Sequence, residues 1–390
     1  MAYPEVFPNS ADIHWAKLFP LDDKKKYFKV APVFPNVSHA VHWLRSTTEY
    51  ARQHPLYSRI SRPAFTTATF DQIHESGLWV MNNYSELCDR QGAPVPAILF
   101  RGHRSTSEDL LPILARPLCL PVLQGKGTLE EAINVNETEQ EITLFFVTRF
   151  FEECSNMPGF EWPAKLSMQR RAAIARHHGF YSWIIDYTLD PGVAAIFASG
   201  GGSATLPREG YGIIYIIDEY DLAQKLQSKP TIINHVGYQE RSWTKIKMET
   251  VMRNCTVTVG DNPVGTLILP SFWKQLRDCH RTLARFCVRL CFAPGMEAER
   301  MWNQKWCGVE AICDDETWMR IITAYQIFAR ITGCILFHQK GEVYHEPATN
   351  ITEDELLPPD DQLEAAIVNF KNRHGLKPGA ATHDFLIRNQ

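Results

Sequence analysis

The sequence predicts an α+β fold. Segments with helical spacing of apolar residues alternate along the chain with short apolar runs of strand length. The longest such runs, at 213–217 and 266–270, are strand-sized, and none reaches the roughly 18 residues that a membrane span requires. The composition is that of a folded chain: 45% of the 390 residues are hydrophobic, and 40 Lys+Arg against 44 Asp+Glu leave a net charge of −4. That balance excludes a disordered chain or a polybasic arm, and it gives no global electrostatic case for nucleic acid. The length fits two domains, or one of about 250 residues with extensions.

The elements follow in order. Residues 1–92 are expected to form a helical N-terminal extension. Within it, 39–53 place Val41, Leu44 and Thr48 on one helix face, and 70–90 repeat the pattern before a stop at Gly92. Residues 1–10 carry no basic stretch leading into an apolar core, so a secretory signal is not expected and the protein is placed in the cytoplasm. The main domain, 93–338, opens with a strand at 97–100 that ends on Arg101-Gly102. A long helix at 129–154 and a second at 166–178 follow, the latter ended by a left-handed cap at Gly179. Residues 181–187 read as a strand, Pro191-Gly192 opens a short helix through Ala198, and 200–203 form a glycine-rich loop before a strand at 212–217. Further strands are expected at 255–259, 266–269, 286–292 and 308–313, with helices at 218–227 and 317–329. The tail, 339–390, holds one helix near 362–370.

Ten cysteines at irregular spacing do not make a disulfide scaffold, and in a reducing compartment they read as buried thiols. Cys287, Cys291, Cys307 and Cys313 lack the CxxC spacing that turns two sulfurs onto one ion, so core packing is expected and no metal. The acidic runs Asp22-Asp23 and Asp314-Asp315-Glu316 are not spaced as ligands, which disfavours a metal-dependent nuclease. Gly200-Gly201-Gly202 lacks the lysine of a phosphate-cradling loop.

Three stretches carry candidate chemistry. Arg101 ends a strand, where a guanidinium is suited to bidentate recognition of phosphate or carboxylate, and Gly102 allows close approach of backbone or ligand. His177 and His178 close a helix whose negative end favours their protonated form, and Asp186 and Thr188 alternate onto one strand face. Adjacent helical residues point about 100° apart, so the sequence leaves open which histidine faces a cleft. The third stretch runs from Arg300 through Gln304 to Glu310, with Trp302 and Trp306 able to stack on a planar base.

These stretches, in this order, resemble the FRG-domain family. Phe100-Arg101-Gly102 with Leu110-Leu111-Pro112 and Arg116 is similar to its name motif and the segment after it. Arg176-His177-His178-Gly179 resembles its QHYG element, and Ile184-Ile185-Asp186-Tyr187-Thr188 with Pro191, Ala194 and Phe197 resembles its LLDWT and AlaxxPheAla run. Arg300, Gln304 and Gly308 loosely echo a third element, so the resemblance spans about 90 to 315. The chain departs from the pattern at His103, Arg176, Tyr181, Ser182 and Tyr187.

The family's layout is similar to that of the ADP-ribosyltransferase superfamily, which implies a split, mostly antiparallel β-sheet core flanked by helices. By the same resemblance the protein would use NAD⁺ as co-substrate and transfer ADP-ribose to a macromolecule, either a protein or RNA/DNA, as a toxin or antiviral defence effector. Arg101, Gly102, His177, Ser182 and Asp186 would bind NAD⁺; Arg101, Thr188 and either Gln304 or Glu310 would act at the reacting ribose, with the carboxylate of Glu310 the preferred acid or base. A harmful activity would also need a neutralising, antitoxin-type protein partner. No membrane partner is expected. The alternatives are a non-catalytic nucleotide- or phosphate-sensing module and an NAD⁺ hydrolase. Basic residues in 245–253, 274–289 and 300–305, interleaved with tryptophans, would supply a local groove if the acceptor is nucleic acid.

Overall fold

The apolar runs at 213–217 and 334–337 become neighbouring strands of one large sheet. The computed structural model describes residues 28–30, 32–53, 98–104, 110, 112–114, 129–166, 168–200, 210–218, 233–235, 238–242, 256–259, 262–266, 286–292, 298–313, 332–339, 341, 343–345, 356–358 and 361–376. The strands are β1 (Phe28–Val30), β2 (Val33–Phe34), β3 (Ile98–His103), β4 (Ile185–Thr188), β5 (Tyr211–Asp218), β6 (Ile233–His235), β7 (Tyr238–Ser242), β8 (Thr256–Val259), β9 (Asn262–Thr266), β10 (Phe286–Phe292), β11 (Trp306–Cys313) and β12 (Gly333–His338). The helices are α1 (Val37–Gln53), α2 (Leu129–Cys154), α3 (Met168–His177), α4 (Pro191–Ala198), α5 (Glu299–Asn303) and α6 (Gln362–Arg373). The architecture is mixed α+β, a sheet flanked by helices.

Nine strands pair in the order β2-β12-β5-β3-β4-β11-β10-β7-β6. Every pairing is antiparallel except β2 against β12. A second sheet joins β1, β8 and β9, with β1 parallel to β8. Two neighbouring strands towards one side of the large sheet are buried on both faces: Ile213 to Ile217 on β5 and Cys334 to Phe337 on β12 are all buried. Continuous apolar runs, not alternating ones, are what such strands require.

Register fixes which side chains share a face. Phe100 of β3 lies opposite Thr188 of β4, which lies opposite Trp306 of β11, so these three point the same way. Phe100 belongs to a core cluster in which α1 (Val41, Leu44) and α4 pack on β3, β5 and β12. Trp306 belongs to another, built from Phe146 and Phe150 of α2, Ile174 of α3 and Leu363, Ile367 and Phe370 of α6. The two clusters therefore lie side by side on one face, and the seam between them runs across the ends of β3, β4 and β11. Phe146 stacks on Phe180 with ring centroids 3.9 Å apart, which ties the turn after α3 to α2.

Several expected elements shift. The strand begins at Ile185 and not Tyr181, because the preceding residues bond to loops and α2: Thr143 Oγ1 donates to the Tyr181 carbonyl at 2.8 Å, and the Ser182 carbonyl accepts from Leu114 N at 3.3 Å. The second helix begins at Met168 because a 3₁₀ turn, Pro163–Lys165, ends on an extended Leu166. The strand expected at 266–269 is met at its first residue by β9; 267–269 lie outside the described residues. Residue 218 ends β5, and the remainder of the 218–227 helix, with those at 70–90 and 317–329, lies outside them too, as do the Cys287, Cys291 and Cys313 side chains. The 129–154 and 191–198 helices stand as expected, and the tail helix extends three residues further, to Arg373. Among the described residues no helix is long and apolar enough to cross a membrane.

One contact sets the depth of the seam. A Cβ at Gly102 would lie 1.8 Å from the Ala194 carbonyl oxygen and 2.7 Å from Ala198 N, both backbone atoms of α4, so the helix crosses β3 only because position 102 has no side chain. Gly102→Ala is expected to destabilise the protein by at least about 2 kcal/mol, since backbone has to move. The chemical denaturation midpoint checks this, and an unchanged midpoint would contradict the close crossing.

Candidate functional site

At the seam lies a cavity of about 410 Å³, a volume typical of small-molecule sites. One wall is the end of β3, from Phe100 to Arg104; a second is apolar, from Val193, Ala194 and Phe197 of α4. The third is polar: Asp186 and Thr188 at the end of β4, Arg300 and Gln304 around α5, Trp306 at the start of β11, and His177 at the end of α3. Three guanidinium groups, Arg101, Arg104 and Arg300, face a single carboxylate, Asp186, among the lining residues. The cavity thus has an excess of positive charge in a protein with net negative charge.

Each wall is held locally. Asp190 caps α4, its Oδ1 accepting from Gly192 N at 2.8 Å, and Pro191 occupies the first turn where its missing N–H costs nothing. The Asp190 carboxylate also meets Lys305 Nζ at 2.5 Å and Arg45 Nη2 at 3.5 Å. Burial would raise its pKa, but Lys305, Gly192 N and Arg45 outweigh that and hold it below the usual value. Lys305 adopts a left-handed backbone, φ 46°, in the turn that leads α5 into β11. In that turn Thr188 Oγ1 donates to the Gln304 carbonyl at 2.7 Å and accepts from Asp190 N at 3.1 Å, while Gln304 Nε2 donates to the Leu356 carbonyl at 2.8 Å.

Asp186 organises the polar wall. Its carboxylate is paired with Arg176 and accepts from Trp306 Nε1 at 3.0 Å. Arg101 Nη1 donates to the Asp186 carbonyl at 2.5 Å and lies 4.0 Å from its Oδ2, and Arg101 Nε donates to His103 Nε2 at 2.6 Å. Arg176 Nε also reaches the Ile184 carbonyl at 3.0 Å, which fixes the approach to β4.

The two histidines separate cleanly. His177 lines the cavity with its ring edge-on to Trp306, centroids 6.0 Å apart, and its Nε2 has no hydrogen-bond partner among the described residues. Burial, then the charges of His178, Arg300 and Arg176, push its pKa well below 6.5. The expectation that the helix terminus keeps this histidine protonated is therefore corrected: desolvation and neighbouring cations outweigh the helix dipole, and the imidazole is neutral at pH 7. His178 turns away, its Nδ1 paired with Glu364 of α6.

Of the residues expected at the site, Arg101, Gly102, His177, Asp186, Thr188 and Gln304 line this cavity. Ser182 and Glu310 do not. Ser182 Oγ accepts from Ile184 N at 3.2 Å and so shapes the turn before β4. Glu310 lies four residues along β11 from Trp306, opposite Arg289 of β10. Ser105 to Ser107, Leu111 and Arg116 fall outside the described residues, as do 245–253 and 274–285 of the basic segments. Sequence reading gave no role to Arg104, Arg176 or Glu364. For Arg176 a signal existed: an arginine where the element it resembles has a glutamine, ten residues before an aspartate.

Glu364 is the acidic group that braces the cavity from outside. Burial alone would raise its pKa, but the hydrogen bond from His178 and the charges of His178, Arg300 and Lys371 hold it at about 2. A carboxyl depressed in the folded state stabilises fully above its unfolded value of 4.5 and loses that contribution as pH falls from there towards 2. Denaturation midpoints measured between pH 6 and pH 3 are expected to fall more steeply in wild type than in Glu364→Gln. Parallel profiles would contradict the pairing.

The FRG domain model matches residues 96–204. That segment contains β3, α2, α3, β4 and α4, and so supplies Arg101, Gly102, His177, Asp186 and Thr188; it ends before Arg300, Gln304 and Gly308, the third element of the expected resemblance. No curated protein and no solved structure matches the chain.

Proposed function

We propose that this cavity binds NAD⁺ and that the protein transfers ADP-ribose from it to a macromolecular acceptor in the cytoplasm. The observation that carries the reading is the composition of one cavity: cationic groups on its rim, an aromatic wall at Trp306, and a single carboxylate, Asp186, beside that wall. Arg101, Arg104 and Arg300 suit the pyrophosphate, and the indole of Trp306 suits the nicotinamide. When the C1′–N bond to nicotinamide breaks, the electron pair leaves with neutral nicotinamide and positive charge spreads over the ribose ring. Asp186, fixed in advance by Arg176 and Trp306, is the group that can stabilise that charge. The acceptor then closes the bond to C1′ and loses its proton. Gln304, which lines the cavity, fits the reacting ribose better than Glu310, which does not. Such an activity would suit a toxin or antiviral defence effector restrained by an antitoxin-type protein.

A second reading, a nucleotide- or phosphate-sensing module without turnover, is favoured by a different observation. Arg101, Thr188, Gln304 and Asp186 all spend hydrogen bonds on one another or on nearby backbone. Such a braced wall suits binding as well as chemistry.

Purified protein incubated with NAD⁺ labelled in its adenylate half, together with protein, RNA and DNA fractions of a lysate, separates these readings. Transfer predicts free nicotinamide and label retained on one fraction, unaffected by EDTA. Arg101→Ala and Asp186→Asn are each expected to lower turnover by about 100-fold or more, with folding checked by thermal melt. Loss in Glu310→Gln with retention in Asp186→Asn would return the carboxylate role to Glu310. Nicotinamide release without retained label would make the protein a hydrolase, and binding without release would favour the sensor.

A further inference from the structure

The C-terminal helix α6 lies far beyond the segment matched by the FRG domain model, yet it reaches the cavity wall. Asp361 caps it, Oδ1 accepting from Leu363 N at 2.9 Å and from Glu364 N at 3.3 Å. Glu364 therefore stands three residues after the cap, where a glutamate ordinarily turns back to the backbone N–H of the capping residue. Here that N–H goes to the Pro358 carbonyl at 3.4 Å, and the Glu364 side chain is directed elsewhere. Its Oε2 accepts from Arg300 Nη1 at 3.1 Å and is paired with His178 Nδ1. About two turns further on, Lys371 Nζ donates to the His178 carbonyl at 2.6 Å and sits 4.6 Å over the Phe180 ring. Thus α6 grips the His177-His178-Gly179 turn through both a side chain and a carbonyl.

Two groups at this wall have no hydrogen-bond partner among the described residues: Arg300 Nε and His177 Nε2. Both atoms are buried, and both side chains line the cavity. A buried polar atom left without a partner is costly, so these atoms point to a ligand group that meets them, an oxygen for Arg300 Nε and, in the Nε2–H tautomer, for His177 as well.

We propose that Glu364 is a positioning residue of this site: it holds Arg300 directly, and His177 through His178, so that Arg300 Nε and His177 Nε2 are presented together to an oxygen-rich anionic group of the ligand. The inference rests on the reading of the cavity as a pyrophosphate-binding site, and it makes α6 a working part of that site. Glu364 itself touches no ligand. Its effect on an anion is therefore opposite in sign to what its charge alone would produce, because deleting a nearby carboxylate without moving anything would tighten anion binding.

The test is calorimetric titration of the full chain with inorganic pyrophosphate and, separately, with NAD⁺, on wild type, Glu364→Ala, Glu364→Asp, Glu364→Gln, Arg300→Ala and the Glu364→Ala/Arg300→Ala double variant. Glu364→Ala and Arg300→Ala are each expected to weaken pyrophosphate by about tenfold, and the double variant to be no more than about twofold weaker than Arg300→Ala alone. Glu364→Gln keeps an acceptor oxygen in place and is expected to stay within about threefold of wild type. Should Glu364→Ala fail to fold, Glu364→Asp decides: it keeps the charge but shortens the reach, so positioning predicts weaker binding and a purely electrostatic role predicts none. Unchanged or tighter pyrophosphate binding in Glu364→Ala, or additive losses in the double variant, would overturn the proposal. Pyrophosphate bound but NAD⁺ not bound would remove the NAD⁺ reading and leave the positioning role to the variants; wild type binding neither would overturn both.

Discussion

The passage of α4 across β3 at Gly102 is the constraint on which the site depends. Backbone meets backbone there, so the helix lies deeper against the sheet than side chains would allow. That depth brings Asp190, the residue that caps α4, down to the turn between α5 and β11, where Lys305 and Arg45 neutralise it. The same turn carries Gln304 and Trp306. It is tied to β4 twice, by Thr188 Oγ1 to the Gln304 carbonyl and by Leu189 N to the Lys305 carbonyl at 3.0 Å. A glycine on one strand thus determines where a tryptophan two strands away stands, through a helix, its cap and one ion pair.

Around this frame the charges follow a common rule. Asp186, Asp190 and Glu364 each sit partly or wholly out of water and each holds a cation beside the cavity: Arg176, Lys305 and Arg300 respectively. Burying such groups is costly unless each has its partner, so removing one member leaves the other stranded and costs more than the pair itself contributes. The arrangement gives a wall whose carboxylates are paired, and the side chains of Arg101, Arg104, Arg300 and His177 line the cavity beside them. Under the proposed function, a wall already paired in this way meets the anionic half of NAD⁺ with little reorganisation.

How much of this was legible in the sequence depends on the distance over which each feature is determined. Helical spacing and a proline start located α2 and α4, whose bounds come from local sequence. The apolar run Cys334 to Phe337 escaped notice as a strand because a segment buried on both faces shows no alternation, and β7, Tyr238–Ser242, because its residues are polar and its strand state comes from pairing with β10. At the site, Arg101, Asp186 and Thr188 were readable from the strand-end motifs they occupy. Glu310 has the chemistry expected of the site, but it does not line the cavity: its place four residues along β11 from Trp306 follows from register, a property of the assembled sheet. The protonation of His177 departs from the helix-terminus expectation for a related reason. A helix terminus can be seen in a sequence; the desolvation and the approach of Arg300 from more than a hundred residues away cannot.

The segment matched by the FRG domain model supplies β3, β4, α3 and α4, but it does not close the cavity by itself. Trp306, Arg300 and Gln304 enter from the turn before β11, and α6 stands behind them. The residues beyond 204 therefore complete one wall and set its electrostatics, since His177 is held neutral partly by Arg300 and Arg300 is held by Glu364. Two proteins sharing the matched segment can then present the same arginine and histidine turn while differing in the wall opposite. In this chain that wall is an indole donating to Asp186 beside a guanidinium braced by a carboxylate, the two groups that the proposed function assigns to the flat nicotinamide and the anionic pyrophosphate.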